Sequence, residues 1–307
     1  MSTERWGKKF EDKRDWKVVN DEWVVRGEFL LDLDWVKSWG KELRRMNKNK
    51  VGAPYEFPES LIRLQAVWGQ WVDYRGLEGI TRKLCKYGLI PKYNDFSTIH
   101  RRITKMETDF ELPKEKNISV SSDGSGMQMN NSGEYKGKKY GGKLKPFIKV
   151  TISADPIRKK LLDCEVDIPG GYSTEAEIAL SHLEKLIELG FDVDKFWGDG
   201  AFDMLDLFNL LAKYNIKSAI KPHHLKTSEK PGSAARKKEV EKLKEKGYKT
   251  WAEEKKYGQR WTGTEGIFSA VKRKYGEKVR STKIENMLKE IKRKFWAYDK
   301  IKNYKAT

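Results

Sequence analysis

Cysteine is nearly absent. The two residues in 307, Cys85 and Cys164, stand far apart in apolar surroundings, which excludes a disulfide framework or a thiolate zinc site and leaves each as a small buried hydrophobe. Histidine is scarce as well. His100, His182, His223 and His224 are scattered, and the adjacent pair after Pro222 reads as a turn at a strand end rather than a metal site. No apolar run approaches the roughly 20 residues of a membrane span, and residues 1–10 are polar and charged, without the apolar core of a signal peptide. The expectation is a cytoplasmic protein with no membrane partner. There is no glycine-rich phosphate loop either: the glycines of 133–142 sit among lysines in what reads as a strand connection, so no nucleotide cofactor is expected.

What is present is charge. Hydrophobic residues make up 38% of the chain, enough to bury a core for one large or two ordinary domains. Against 45 acids stand 63 lysines and arginines, a net charge of +18, which points to a polyanionic partner, nucleic acid first. From 222 to 307 there are 25 lysines and arginines against 11 acids, so most of the excess is C-terminal. Two readings are open for the lysine-rich helix over 235–247, a solvated face interleaved with Glu239, Glu241 and Glu245, or a DNA-facing surface. Further on, Lys272, Arg273, Lys274, Lys278 and Arg280, then Lys292, Arg293 and Lys294, interleave with Tyr275, Phe295, Trp296 and Tyr298. That pattern predicts a phosphate-tracking face.

Periodicity divides the chain at about 112/113. Residues 1–49 read as a helical lead-in rich in tryptophan, with Asp34 as cap of a helix through Arg45. Pro58 opens a second helix carrying Leu61, Leu64, Val67, Trp68 and Trp71. Another carries Leu77, Ile80 and Leu84 and closes at Gly88 and Pro91. A last one begins near Asp95 or Ser97, with Ile99, Ile103 and Met106 inward and Thr98, His100, Arg101, Arg102 and Lys105 outward. Three short helices ending in a basic polar face are like a helix-turn-helix unit with its reading helix third. Beyond Pro113 strands take over: Ile118 and Val120 alternate with polar residues as in a half-buried strand, followed by apolar strands around Phe147–Ile152 and Leu162–Ile168. Thr174 and Glu177 form a capping box. A strand ends at Gly198, Asp203 reads as the cap of the next helix, and a short strand covers 218–221. The order strands, helix, strand, helix, strand, helix is that of an α/β, ribonuclease-H-like mixed-sheet core, here preceded by an all-α helix-turn-helix-type region.

Among so many acids, two sit at strand ends beside glycine: Asp123 in Ser122-Asp123-Gly124-Ser125-Gly126, where small residues admit a ligand to the backbone, and Asp199 in Gly198-Asp199-Gly200-Ala201. A turn aspartate is the alternative for each. Asp163, Glu165 and Asp167 read as a solvated strand face, and Asp155 before Pro156 as a turn residue. Glu265 opens a later helix and lies two turns from Lys272, about 10 Å along the axis. An ordinary surface pair is the competing reading of that spacing. Trp251 and Trp261 are open between core packing and stacking on an unpaired base.

These stretches, together with 135–150, Trp197-Gly198-Asp199-Gly200-Ala201-Phe202-Asp203, and 263–279 with Glu265-Gly266-Ile267-Phe268-Ser269-Ala270-Val271-Lys272-Arg273, resemble the DDE transposases of prokaryotic insertion sequences, most closely the group related to insertion-sequence families four and five. The resemblance also touches 55–103 and Glu285-Asn286-Met287. It implies a DNA-binding region over 1–112 and a catalytic domain over 113–307 with a basic insertion at about 223–262. It implies that Asp123, Asp199 and Glu265 are catalytic and hold two divalent ions, Mg²⁺ with Mn²⁺ as substitute, for cleavage and strand transfer. Relatives often carry Tyr, Arg, Glu and Lys at set spacings; Tyr257, Arg260, Glu265 and Lys272 reproduce the first and last, with four residues in place of three between Arg260 and Glu265. DNA contacts are expected from Lys272, Arg260, Tyr257, Arg101, Arg102, Lys105 and Arg273. The implied partners are double-stranded DNA, as element ends and target, and a second copy in a homodimeric, nucleoid-associated complex. A related metal-dependent nuclease or resolvase, which the same carboxylates would serve, stays open, as does a non-catalytic DNA-binding derivative, against which the intact trio argues.

Overall fold

The computed structural model describes residues 14–129, 147–168, 173–223 and 232–305, with the backbone of 4–5 and 8–9. Trp6, the glycines of 133–142 and His224 lie outside them. Two compact units result, Met1–Ile103 with Lys300–Thr307, and Thr104–Asp299.

The first unit is helical. Helix α1 (Trp16–Glu28) is capped by Asp15, whose Oδ1 accepts from the Lys17 and Val18 amides at 3.0 and 3.3 Å. The single helix expected from Asp34 starts instead as a 3-10 turn, Asp34–Ser38, and becomes α2 only over Trp39–Asn47. Asp34 is therefore not the cap of that helix; Asp32 ahead of it accepts from the Asp34 amide at 2.9 Å. Then come α3 (Glu59–Trp68), α4 (Tyr74–Lys86) and α5 (Phe96–Lys105). Pro58 is the N-cap of α3 rather than its first residue, and Trp71 falls beyond the helix, exposed. Leu61, Ile62, Leu77, Ile99 and Ile103 are fully buried together with a reciprocal amide pair, Gln65 and Asn94, at 2.7 and 3.0 Å. Burying two primary amides is tolerable because each satisfies the other. Asp95 starts α5, accepting from the Ser97 and Thr98 amides and hydroxyls, and these bonds hold its carboxyl well below the usual range.

The second unit is built on a five-stranded sheet: β1 (Asn117–Gln128), β2 (Phe147–Asp155), β3 (Lys160–Asp167), β4 (Asp192–Gly198) and β5 (Lys217–Ile220) in the order β3-β2-β1-β4-β5. β1 pairs antiparallel with β2 and parallel with β4, and β5 continues the parallel half. This is the ribonuclease-H-like mixed sheet. Parallel strands need crossover connections; α6 (Glu175–Glu188) precedes β4 and α7 (Leu205–Lys213) precedes β5. The capping box forms as expected: the Glu177 amide donates to Thr174 Oγ1 at 3.2 Å and the Thr174 amide to Glu177 Oε2 at 2.6 Å. Ile118, Val120 and Phe196 join Ala179, Leu183, Leu186, Leu207, Phe208 and Leu211 in one apolar cluster.

β1 is not half-buried, because helices cover both its faces. Ser119, Ser121 and Ser122 are as buried as Ile118 and Val120, and their hydroxyls are satisfied internally: Ser122 Oγ meets Ser153 Oγ at 2.8 Å, which meets His182 Nδ1 on α6 at 2.8 Å. Asp163 is likewise not solvated; it is buried and accepts from Lys185 Nζ at 2.6 Å. Asp155 is the expected turn residue, accepting from the Ile157 and Arg158 amides.

The C-terminal helices are α8 (Ala234–Glu254), α9 (Gln259–Gly263), α10 (Glu265–Tyr275) and α11 (Ile284–Asn303). Gly247, at φ 72°, breaks α8. One face of α8 is interior: Glu239 is buried, accepting from Trp251 Nε1 at 2.6 Å and Lys255 Nζ at 2.8 Å. The basic run on α11 is also interior. Arg293, Lys294, Phe295 and Trp296 are buried, and Phe268 meets Phe295 edge-to-face with 5.6 Å between centroids. Arg293 and Lys294 therefore do not belong to a phosphate-tracking face; of the basic run only Lys292 is half-exposed, 3.5 Å from Glu165.

Candidate active site

Strand register explains why two distant aspartates meet. Ser121 of β1 is level with Trp197 of the neighbouring parallel strand β4. Two residues further along each chain stand Asp123 and Asp199, so both carboxylates leave adjacent strands at the same height. Asp199 then turns the chain: its Oδ1 accepts from the Ala201 amide at 2.8 Å and caps a 3-10 turn, Gly200–Phe202. Gly198 is required there, since a Cβ would lie 2.8 Å from the Phe202 ring.

The third carboxylate arrives on a helix pressed against the sheet. A Cβ on Gly263 would sit 2.5 Å from Ser121 Oγ and 2.9 Å from Pro156 Cα, so glycine permits α9 to touch β1. Thr264 follows, wholly buried, its Oγ1 bonded to Asp123 Oδ2 at 3.4 Å and to the Arg260 carbonyl at 3.1 Å. Glu265 is the next residue, the first of α10. No sequence pattern singled out Gly263 or Thr264; their only signal was adjacency to Glu265.

The three acids share one electrostatic field. Desolvation, with Asp199 and Glu265 nearby, pushes Asp123 up to about 6 against the pull of the Gly124 amide and Arg260. Desolvation and Asp199 likewise raise Glu265. Arg260 favours the ionised form of both. Its guanidinium lies over the rings of Tyr257 and Trp261, 5.0 and 5.2 Å from their centroids, and its Nε is buried without a hydrogen-bond partner. Tyr257 is buried and donates to the Gly198 carbonyl at 3.1 Å. The extra residue between Arg260 and Glu265 falls in the break between α9 and α10, and Arg260 still faces the carboxylates.

Such a donor set fits a hard divalent cation: carboxylate oxygens, with raised proton affinity at Asp123 and Glu265. Among the described residues no three acids, histidines or cysteines form a ready-made cage. Mg²⁺ does not need one, because it keeps several waters and binds through one or two carboxylates plus substrate phosphate.

The other expected residues are dispersed. Lys272, half-buried on α10, pairs with Glu277 at 3.6 Å rather than with Glu265. Arg273 is exposed, its Nε donating to the Ser269 carbonyl at 3.3 Å. In the first unit Arg101 and Lys105 are exposed on α5. Arg102 is committed to the fold, bonded to Glu59 at 3.0 Å and to the Phe57 carbonyl at 3.1 Å, over the Tyr55 ring. Trp251 is core, packed with Trp197, Ala219, Leu243 and Tyr257, whereas Trp261 is 47% exposed beside Arg260. Beside Gly124 lies the Glu175 carboxylate, 2.4 Å from where a Cβ would stand, so the glycine makes room for that side chain. Asp203 is no helix cap. It forms a buried two-point ion pair with Arg236 at 2.5 Å and accepts from the His223 amide at 2.8 Å, which ties α8 to the Asp199 turn. The bend at His223 agrees with the strand-end turn expected there.

A mixed sheet of this order, with one acid on the central strand, one at the end of its parallel neighbour and one on a helix laid over them, defines a ribonuclease-H-like acid-triad fold. The model of the transposase DDE domain matches residues 113–299, and the chain belongs to that family. No curated protein gives a significant match.

Proposed function

We propose that this transposase binds the ends of its element and carries out metal-dependent DNA cleavage followed by strand transfer, with Asp123, Asp199 and Glu265 as the catalytic acids. The observation that carries this reading is the register that sets Asp123 and Asp199 side by side, with Glu265 in the same field. Asp123, Asp199 and Glu265 would hold divalent ions, Mg²⁺ or Mn²⁺ and two per site, which would supply positive charge to offset the charge developing in a phosphoryl transfer. Water attacks the scissile phosphorus at the element end and the bond to the 3′-oxygen breaks; in the second step the freed 3′-hydroxyl attacks a target phosphodiester, forming a new ester bond as the bond from that phosphorus to the target strand's own 3′-oxygen breaks and that oxygen leaves as a hydroxyl. Thr264 and the Gly124 amide orient the Asp123 carboxylate. Arg260, clamped between two rings, and Lys272, two turns from Glu265, hold phosphates of the bound strand, with Arg273 beside them. Trp261 stacks on an unpaired end base. α5 reads the end through Arg101 and Lys105, and two copies assemble on DNA.

The test is cleavage and joining of end DNA with Mg²⁺. Asp123→Ala, Asp199→Ala and Glu265→Ala each abolish both steps and keep the fold and DNA affinity; near-normal strand transfer in any one removes that residue from the site. Pre-cut ends that are never joined by the wild-type protein would make it a nuclease instead.

A further inference from the structure

The structure assigns a role to a buried cation far along the chain from the acids: we propose that Lys294 on α11 is a positioning residue that sets Lys272 for its contact with DNA. The inference rests on the phosphate contact proposed for Lys272 and adds what holds that side chain in place.

The argument starts at the end of α10. A helix leaves its last carbonyls without intrahelical donors and carries partial negative charge there. Lys294, 3% exposed, places its ammonium where the helix passes into the strap: Nζ donates to the carbonyl of Tyr275, the last helical residue, and to those of Gly276 and Lys278 beyond it, at 3.2, 2.9 and 2.8 Å. Three donors meet three acceptors, which is the full capacity of an ammonium. One turn earlier on α11, Glu290 grips the far end of the same strap, accepting from the Arg280 and Ser281 amides at 2.9 Å and from Ser281 Oγ at 2.7 Å. The strap 276–281 is thus nailed at both ends by two side chains four residues apart on one helix face.

The strap in turn holds Lys272 twice. The Gly276 amide donates to the Lys272 carbonyl at 2.9 Å, which fixes its backbone as the helix ends. Glu277 Oε1 lies 3.6 Å from Lys272 Nζ, which fixes the direction of its side chain. The strap also extends the sheet past Asp123: the Gln128 amide donates to the Glu277 carbonyl at 3.0 Å, and the Val279 amide to the Gln128 carbonyl at 3.1 Å. Lys272 is therefore held by a strap that is joined to β1 at Gln128 and anchored by Lys294. An exposed Lys–Glu pair alone orders a flexible side chain weakly; the anchoring of Glu277 and of the Lys272 carbonyl to one rigid strap supplies the rest.

The readout is the salt dependence of end-DNA binding, where each neutralised phosphate contributes a slope of about 0.9. Lys272→Ala lowers the slope by about one phosphate. Lys294→Met, although its side chain touches no DNA, lowers it by the same amount, and the double variant falls no further than either single one. A wild-type slope in folded Lys294→Met, or losses that add in the double variant, overturns the proposal. A wild-type slope in Lys272→Ala instead overturns the phosphate contact on which it rests. Should Lys294→Met fail to fold, Glu277→Gln cuts only the last link at an exposed position: single-turnover cleavage at saturating DNA falls several-fold with Mn²⁺ binding unchanged, and a wild-type rate overturns the proposal.

Discussion

Asp123 shows what the acids cost the fold. Its folded-state pKa of about 6 stands above the ordinary 3.8, so the protonated form is the one the fold prefers. The stability it confers is fully present below the unfolded value and is lost as pH rises through about 6. At about 1.4 kcal/mol per unit the loss reaches up to about 3 kcal/mol at pH 8. Asp123→Asn keeps an acceptor for the Gly124 amide and removes the charge. The variant melts higher than the wild type at pH 8 in the absence of divalent ions, and the two converge near pH 4. Equal melting temperatures at pH 8 would refute the raised pKa. His182 behaves in the opposite sense: burial pulls it down to about 4, so stability is lost as pH falls from about 6.5 toward 4. Wild-type protein is therefore destabilised in acid through α6, and His182→Gln flattens that limb of a melting-temperature profile while leaving the alkaline side unchanged.

Among the elements, α9 is the one that seats the third acid, and Gly263 is the contact that lets it approach. Gly263→Ala forces Ser121 and the Pro156 backbone apart from α9, an overpacking that costs about 1–3 kcal/mol. Cleavage falls by at least tenfold while DNA affinity changes little, because Glu265 is lifted from β1 and the basic surfaces stay where they are. A melting temperature and cleavage rate unchanged from wild type would show that the helix seats elsewhere. Elements whose identity rests on local chemistry were legible from sequence: the capping box at Thr174 and Glu177, the cap at Asp95, the strands of the sheet. Elements whose identity rests on long-range cover were not. Alternation made β1 half-buried, yet helices on both faces bury its serines, and no local pattern announces a second covering helix. The same holds for Arg236, whose partner Asp203 lies 33 positions away, and for Lys294, where a run of basic residues masks a buried ammonium with three carbonyls. The two aspartates were legible because glycines flank them; that they stand level follows only from the β1–β4 register.

Over the whole molecule the charge of +18 is less available to DNA than its sum suggests. Arg102, Arg236, Arg293 and Lys294 are engaged in the fold, whereas Lys237, Lys238, Lys242 and Lys244 on α8 and Arg101 and Lys105 on α5 stay exposed. No helix among the described residues is long and apolar enough to cross a membrane. On the proposed function, binding to duplex DNA weakens steeply with salt, and the two exposed groups are expected to divide the work. Lysines of α8 contribute charge without sequence information, since an ammonium on a flexible stem meets any phosphate equally. On the proposed function α5 is the helix to carry specificity: Asp95 caps it, Ile99 and Ile103 are buried on its inner face, and Arg101 and Lys105 are exposed on its outer face, where they would donate to base edges. The double variant Arg101→Ala, Lys105→Ala accordingly binds scrambled duplex almost as the wild type does but loses about tenfold or more of its preference for element ends, a ratio measured by competition at one fixed salt concentration. Loss of Lys237 and Lys238 has the reverse signature, weaker binding to every sequence and a shallower salt slope with the preference intact. If the α5 variant still discriminates end DNA as the wild type does, the reading helix lies elsewhere in the chain.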